Sequence, residues 1–388
     1  MTSTGVGTTV RAVVIGAGQS GLATGFYLRR AGLEPGVDFV MVDADDRPGG
    51  AWPHMWEGLR LFSPASASSL PGWPMPPWDD ATKGYPPARH VVDYLTRYEE
   101  RYDLRVRRPF TVTAVEDPDD DSRRLLVRGS GATIATETVV STTGSWAQPF
   151  WPVYPGMARF AGRQLHAAQY RRPDDFAGQR VAVVGGGNSA AQVLAEVSTV
   201  ATTVWVTARE PRFLPDDLDG RALFATARRR IEALQEGRDD PGVGGLGDIV
   251  MVPSVRQARD RGVLEAHPAF AELTEHALVW ADGTSRAVDT VIWCTGFRPA
   301  LRHLRPLRLR GEDGRVRVGG TSGTQALDDP RVFLVGYGDW TGPASATLVG
   351  VGPSARATAA AITGRDRPGA TRTKGGPAAV RRRTGSLP

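Results

Sequence analysis

VRAVVIGAGQSGLATGFYLRR, residues 10–30, decides the fold. The apolar run Val10–Ile15 leads into Gly16-Ala17-Gly18-Gln19-Ser20-Gly21, after which Leu22, Ala23, Phe26 and Tyr27 recur at helical spacing. That order is strand, tight turn, helix. Gly16 and Gly18 allow the turn and let a backbone approach a pyrophosphate, Gly21 permits close helix–strand packing, and the helix N-terminus offers N–H donors. A second apolar run, Phe39–Val42, ends at Asp43. An acid there is placed to take both ribose hydroxyls of an adenosine.

The plan then repeats. VAVV at 181–184 leads into Gly185-Gly186-Gly187-Asn188-Ser189-Ala190, followed by the helical face Ala191, Leu194 and Val197 and by the strand VWV at 204–206. Short β-like segments occupy 106–142, around the acidic turn Asp117–Asp121, and again around the turn Ala281-Asp282-Gly283-Thr284. They close on Thr142-Thr143-Gly144 and on VIWCTGF at 291–297. After the second unit come the strand-like VFLVGYGDW and the helix-like SARATAAAI. The predicted class is α/β, with two dinucleotide-binding Rossmann-type domains, the second inserted in the first. The expected boundaries are 10–150 for the first part of the FAD domain, 151–180 for a linker and 181–296 for the NADPH domain. Residues 297–364 would complete the FAD domain, and 365–388 form a disordered basic tail.

The first turn is assigned to FAD because it is followed by Gly49-Gly50-Ala51-Trp52, a second glycine pair against which a ribityl chain and ring can lie. The expected FAD contacts are Gly16, Gly18, Gln19, Ser20, Gly21, Asp43, Gly50, Ala51, Trp52, Leu61, Ser63, Val112, Thr143, Gly144, Gly338 and Asp339. In the second turn Ala190 replaces the last glycine, which a nicotinamide nucleotide tolerates. Its second strand ends in Thr207-Ala208-Arg209-Glu210, so a guanidinium stands near the place of the ribose-binding acid and can grip a 2′-phosphate. NADPH is therefore expected, on Gly185, Gly187, Asn188, Ser189, Ala190, Thr207, Arg209, Thr295 and Gly296. Glu210 keeps NADH open.

Between the turns lies Phe160-Ala161-Gly162-Arg163-Gln164-Leu165-His166-Ala167-Ala168-Gln169-Tyr170. The pattern F-x-G-x-x-x-H-x-x-x-Y, just before the second glycine turn, resembles the hallmark of class B flavoprotein monooxygenases. Tyr170 in place of tryptophan leans away from their Baeyer–Villiger branch. The stretches 59–77, 212–221, 245–253 and 335–352 resemble the ArsO-type NADPH-dependent FAD monooxygenases associated with arsenic resistance, over roughly residues 10–364. The resemblance implies that NADPH reduces the flavin, that O2 adds at flavin C4a, and that retained NADP⁺ shields the adduct while oxygen passes to a trivalent arsenical, thiol or amine. The cofactor carries such chemistry, so few side chains need act as acid or base. His166 is read as a group that positions the two domains. Where flavin-containing monooxygenases carry an asparagine near the flavin, this chain has Phe62-Ser63-Pro64, which makes Ser63 the substitute candidate and points to a shorter-lived adduct.

Composition sets the exclusions. Hydrophobic residues make up 41% of 388 and charged residues 23%, enough for two cores. The net charge of +5 is local: residues 365–388 hold seven basic residues against Asp366, leaving the rest within one charge of neutral. A nucleic-acid partner is therefore not expected. Cys294 is the single cysteine, so an internal disulfide and a CxxC redox pair are excluded, and its apolar strand makes it a core thiol. The six histidines show no metal-ligand spacing, so no metal is expected. With no membrane-length apolar run and no basic–apolar leader, the chain is read as soluble and cytoplasmic, acting on a small-molecule substrate and O2. The oligomeric state stays open, a homodimer included. Residues 48–90 hold nine of the 29 prolines and are expected as an ordered functional loop. Residues 210–262 fit neither module, as an active-site lid or a solvated excursion. On the same fold, an NADPH oxidase or reductase and a nucleotide-sensing regulatory flavoprotein remain alternatives.

Overall fold

The computed structural model describes residues 9–79, 84–118, 123–218, 221, 248–312, 314–342 and 344–364. The basic tail, the middle of the 210–262 excursion and the tip of the acidic turn lie outside the described residues.

The first sheet is built on β1 (Val10–Ile15), flanked in parallel by β2 (Phe39–Val42) and β5 (Ala132–Ser141). Both β1 and β2 are nearly all buried, as expected for parallel strands covered on both faces. β3 (Val112–Glu116) and β4 (Leu125–Gly129) form an antiparallel meander with the first half of β5. The chain then leaves this sheet. It builds a second, all-parallel sheet in the order β6 (Arg163–His166), β13 (Thr290–Trp293), β7 (Arg180–Val184), β8 (Thr202–Thr207) and β9 (Ala266–Pro268). A small antiparallel sheet of β10 (Glu272–Leu273), β11 (Ala277–Val279) and β12 (Ser285–Ala287) covers it. After β13 the chain returns through β14 (Val318–Gly319), β15 (Gln325–Ala326) and β16 (Val332–Leu334), and β16 pairs in parallel with β5. The second module is thus inserted in the first.

Helix α1 (Gln19–Arg30) buries Leu22, Ala23, Phe26 and Leu28 against the first sheet and packs on α5 (Val351–Thr363). Helix α2 (Ala88–Arg101) buries Val91, Tyr94, Leu95 and Tyr98, a helical stripe. Its tyrosines hold the proline-rich loop: the Tyr94 hydroxyl donates to Trp73 O at 2.7 Å and accepts the Leu70 N–H at 2.8 Å, and Tyr98 donates to Pro71 O. Burial pushes both phenols up. From Leu70 to Trp73 the loop is held because these backbone polar groups are satisfied by buried hydroxyls.

Two expectations change. Arg163–His166, expected inside a linker, is a strand of the second sheet, because Leu165 and His166 pair with Ile292 and Trp293 of β13. The 210–262 excursion is rooted in the second core. Leu214 N–H donates to Ile249 O at 2.9 Å and Ile249 N–H to Arg212 O at 2.8 Å, while Ile249, Val250, Met251 and Val252 are buried ahead of α4 (Pro253–Asp260). Asp216 then takes a bidentate ion pair from Arg259 of that helix.

Candidate functional site

Each glycine turn sits between a parallel strand and a helix N-terminus. The first turns of α1 and of α3 (Asn188–Val197) carry no acidic residue to offset the positive helix end, which suits a phosphate. At the first turn, a Cβ on Gly21 would lie 1.9 Å from Gly16 O, so glycine is what lets α1 dock. Gly50 adopts φ +59° and faces Gly18 backbone to backbone, where an added Cβ would lie 2.6 Å from Gly18 Cα. Thr142 Oγ1 donates to Gly16 O at 2.7 Å, tying the end of β5 to the turn. Asp43 is buried and accepts the N–H groups of Ala17 and Asp45. A carboxylate has about four acceptor positions, so two remain for hydroxyls. Gln19 joins two more segments, accepting the Trp52 indole N–H at 3.2 Å and donating to Ala346 O at 2.6 Å.

At the second turn, Trp205 Nε1–H donates to Gly185 O at 2.7 Å. Asn188 is committed to protein: it donates to Asp248 O and accepts the Val250 N–H, both at 2.9 Å. It moors the excursion to the start of α3. Thr207 is buried at the end of β8, whereas Ala208, Arg209 and Glu210 emerge into solvent beside the turn. Arg212 pairs with Asp248 at 2.8 Å. A Cβ added at Gly144, Gly187, Gly296 or Gly338 would meet nothing within 4 Å, so the backbone of the second turn, of the crossover and of the Gly338 loop fronts open space.

The modules are joined by two chain segments that pair with each other. Phe150 N–H donates to Gly296 O, Arg298 N–H to Gln148 O and Ala300 N–H to Gly144 O, and Pro149 bridges Phe297. Trp146 stacks on Phe297 with centroids 5.2 Å apart. His166 is fully buried against this ribbon, with Nε2–H donating to Gly296 O at 3.0 Å and Nδ1 accepting the Ala168 N–H at 3.1 Å. Burial holds its pKa below the usual imidazole range. With both nitrogens occupied in this way, the ring ties the end of β6 to the crossover. Behind the ribbon, Tyr337 OH contacts Ser141 Oγ at 2.6 Å and Thr143 Oγ1 at 2.8 Å, and Ser141 contacts His303 Nε2 at 3.0 Å. Burial, with Arg310 nearby, takes His303 down to about 4.

The structure gathers Gly16, Gly18, Gln19, Ser20, Gly21, Asp43, Gly50, Ala51 and Trp52 around α1, and Gly338 and Asp339 follow Gly336, which lies against Ser20. Thr143 and Gly144 open the crossover; Thr295 and Gly296 close it. Ser63 stands in another setting, 2% exposed with its hydroxyl 2.8 Å from Ser68 Oγ, which in turn donates to Pro64 O. Leu61 is buried in the first core, and Val112 packs on the second face of that sheet. Cys294 is half-buried, and burial pushes its thiol up to about 12. Sequence reasoning missed Thr142, Trp205, Tyr337 and Glu196. Only Thr142 had a local signal, as the flank of Thr143-Gly144. Among the described residues, no group of three or more His, Cys, Asp or Glu could hold a metal ion, and no helix is long and apolar enough to cross a membrane.

Residues 13–336 match the family described as pyridine nucleotide-disulphide oxidoreductase. The chain is similar to the structure of a flavin-containing monooxygenase from Stenotrophomonas maltophilia, at 49% identity and a TM-score of 0.81, covering 92% of this chain and 99% of that one. A probable indole-3-pyruvate monooxygenase of Arabidopsis thaliana is 28% identical over 74% of each chain. An uncharacterised CzcO-like oxidoreductase of Geobacillus kaustophilus is 26% identical over 74% of this chain and 80% of its own length.

Proposed function

Because the chain belongs to the pyridine nucleotide-disulphide oxidoreductase family, and within it is an enzyme of the flavin monooxygenase type, we propose that it holds FAD on the first turn and NADPH on the second and uses O2 to oxygenate a small soft nucleophile. The observation that carries this is a difference of charge beside corresponding strand ends, where Thr207 stands in the place of Asp43 and Arg209 follows two residues later. Buried Asp43 ends β2 beside the first turn, and exposed Arg209 follows β8 beside the second. A carboxylate suits free ribose hydroxyls, and a guanidinium suits a 2′-phosphate. The family name's disulphide does not apply here, since Cys294 has no partner cysteine in the sequence.

When bound, the flavin accepts the hydride and activates oxygen; the protein binds, aims and shields. Gly18 and Gly50 bring backbone against the first nucleotide, His166 holds Gly296 and so the crossover, and Trp146, Phe297 and Trp151 wall the crossover with rings. Rings placed there would narrow the approach of water to a bound, reduced flavin. The likeness of 59–77 and 335–352 to the arsenic-resistance monooxygenases favours a trivalent arsenical, with thiols and amines as the related class. The test is O2 uptake by the yellow protein with NADPH across these substrates, with H2O2 measured in parallel. Product carrying one labelled oxygen atom from O2 supports the reading. NADPH consumption matched by H2O2, unchanged by every substrate, refutes oxygenation and leaves an oxidase.

A further inference from the structure

Glu196 lies in the last turn of α3, the helix that begins at the second glycine turn. Its carboxylate is gripped from two sides. Tyr170, the final residue of the motif, donates its hydroxyl to Oε2 at 2.8 Å, and Trp56, from the proline-rich loop of the first module, donates its indole N–H to Oε1 at 3.1 Å. Both donors are buried, at 1% and 5% exposure, and their rings meet edge to face 6.2 Å apart. The loop is shaped around the acid. A Cβ on Gly58 would lie 2.1 Å from Glu196 Oε1, and Glu57 N–H donates to Arg171 O at 3.0 Å, sealing the loop to the chain that follows Tyr170.

A carboxylate taken out of water costs stability unless it is well bonded, and replacing such a group by an apolar one is often neutral or better. Burial does push the Glu196 carboxyl up, against the two bonds that favour its charge. What the acid adds is geometry. An α3 of 10 residues is about 15 Å long, so a displacement of about 1 Å at its last turn tilts it by about 4° and shifts the aim of the turn at its other end.

We propose that Glu196 is a positioning residue: by joining Trp56 of the flavin-side loop to Tyr170 of the motif, it sets the alignment of the second glycine turn over the first module for hydride transfer. This rests on the assignment of the two turns to flavin and nicotinamide nucleotide given above.

The experiment uses the full chain and the variants Glu196→Ala, Glu196→Gln and Tyr170→Phe. Rapid mixing reads the rate of flavin reduction by NADPH per bound flavin, binding titration reads the Kd for NADPH, and hydrogen exchange at residues 56–59 is read without nucleotide. Glu196→Ala slows reduction about tenfold or more, as a misplacement near 1 Å does, while the Kd stays within about threefold and the Glu57 amide exchanges faster. In Glu196→Gln the amide oxygen accepts from Trp56 and the NH2 donates to the Tyr170 hydroxyl, so reduction recovers to within about threefold of the parent. Tyr170→Phe removes one grip and gives a smaller slowing in the same direction, which supplies the comparison if Glu196→Ala does not fold. A reduction rate per bound flavin that is unchanged in the variants overturns the proposal, because a merely structural role lowers flavin content and not the rate per flavin. If the parent is not reduced by NADPH at all, the functional reading fails instead. Glu57 exchange that is then identical in parent and variant overturns the clamp as well.

Discussion

Gly50→Ala tests the flavin site at its tightest point. Two costs arise from the geometry. The residue adopts φ +59°, where an alanine costs about 1–2 kcal/mol. The new Cβ would also lie 2.6 Å from Gly18 Cα, and carbon atoms prefer about 3.5–4.0 Å, so two backbones must part by about 1 Å. Neither is the far end of a flexible side chain. Overpacking of this kind costs about 1–3 kcal/mol. Where the flavin-free loop relaxes away from Gly18, binding must restore the strained contact, so the two together raise the Kd for flavin by up to several-thousandfold, at tenfold per about 1.4 kcal/mol. Gly131→Ala is the control: its φ is +74°, but an added Cβ meets nothing within 4 Å, so it carries the first cost without the second. The assay is flavin occupancy of the purified variants from the visible absorbance, followed by titration of the stripped protein with FAD. Gly131→Ala retains its flavin and loses about 1–2 kcal/mol of stability. Full occupancy and parental affinity in Gly50→Ala would show that the Gly18–Gly50 contact is no part of the flavin cradle.

Arg209→Ala raises the KM for NADPH by roughly ten- to a hundredfold and leaves that for NADH within about twofold, because a charge-assisted contact is worth about 1.5–3 kcal/mol; equal changes for both nucleotides refute the 2′-phosphate assignment. His303, taken down to about 4 by burial, stays neutral in the fold while the unfolded chain takes a proton near 6.5. Stability therefore falls as pH drops from about 6.5 to about 4, by about 2–4 kcal/mol from this group, and thermal melts of His303→Gln over that range show a flatter slope. An unchanged slope removes His303 from the acid sensitivity. With its thiol pushed up to about 12, Cys294 resists iodoacetamide at pH 8 in the folded protein and takes one equivalent when unfolded; fast labelling of the native enzyme contradicts the burial.

What could be read from the chain, and what could not, divides along the range of the interactions. Val10–Ile15 with Gly16 to Gly21, and VAVV with its glycines, announce themselves because strand, turn and helix are neighbours in sequence, and Gly16, Gly21 and Gly185 each answer a close approach of backbone. Asp43 and Arg209 stand out as candidates because each follows closely on a strand whose length the apolar run defines. β6 could not. Arg163-Gln164-Leu165-His166 has no apolar alternation, and it becomes a strand only through β13, more than a hundred residues later. Glu196 reads as the solvent side of a helix until Trp56 arrives from 140 residues away. The partner of Ser63 is also invisible in sequence, because its hydroxyl meets Ser68 Oγ only once the loop folds back at Pro64.

The paired crossover has a consequence for how such a protein can be taken apart. The chain enters and leaves the second module through two segments that lie side by side from Gly144 to Phe150 and from Gly296 to Ala300. A unit whose two ends meet can be cut out, or exchanged for another of different nucleotide preference, without stretching its host. The graft points are Phe150 and Gly296, which face each other where the ribbon reaches the inserted unit. The host sheet keeps its strand order, since β16 pairs with β5 whatever is spliced between them.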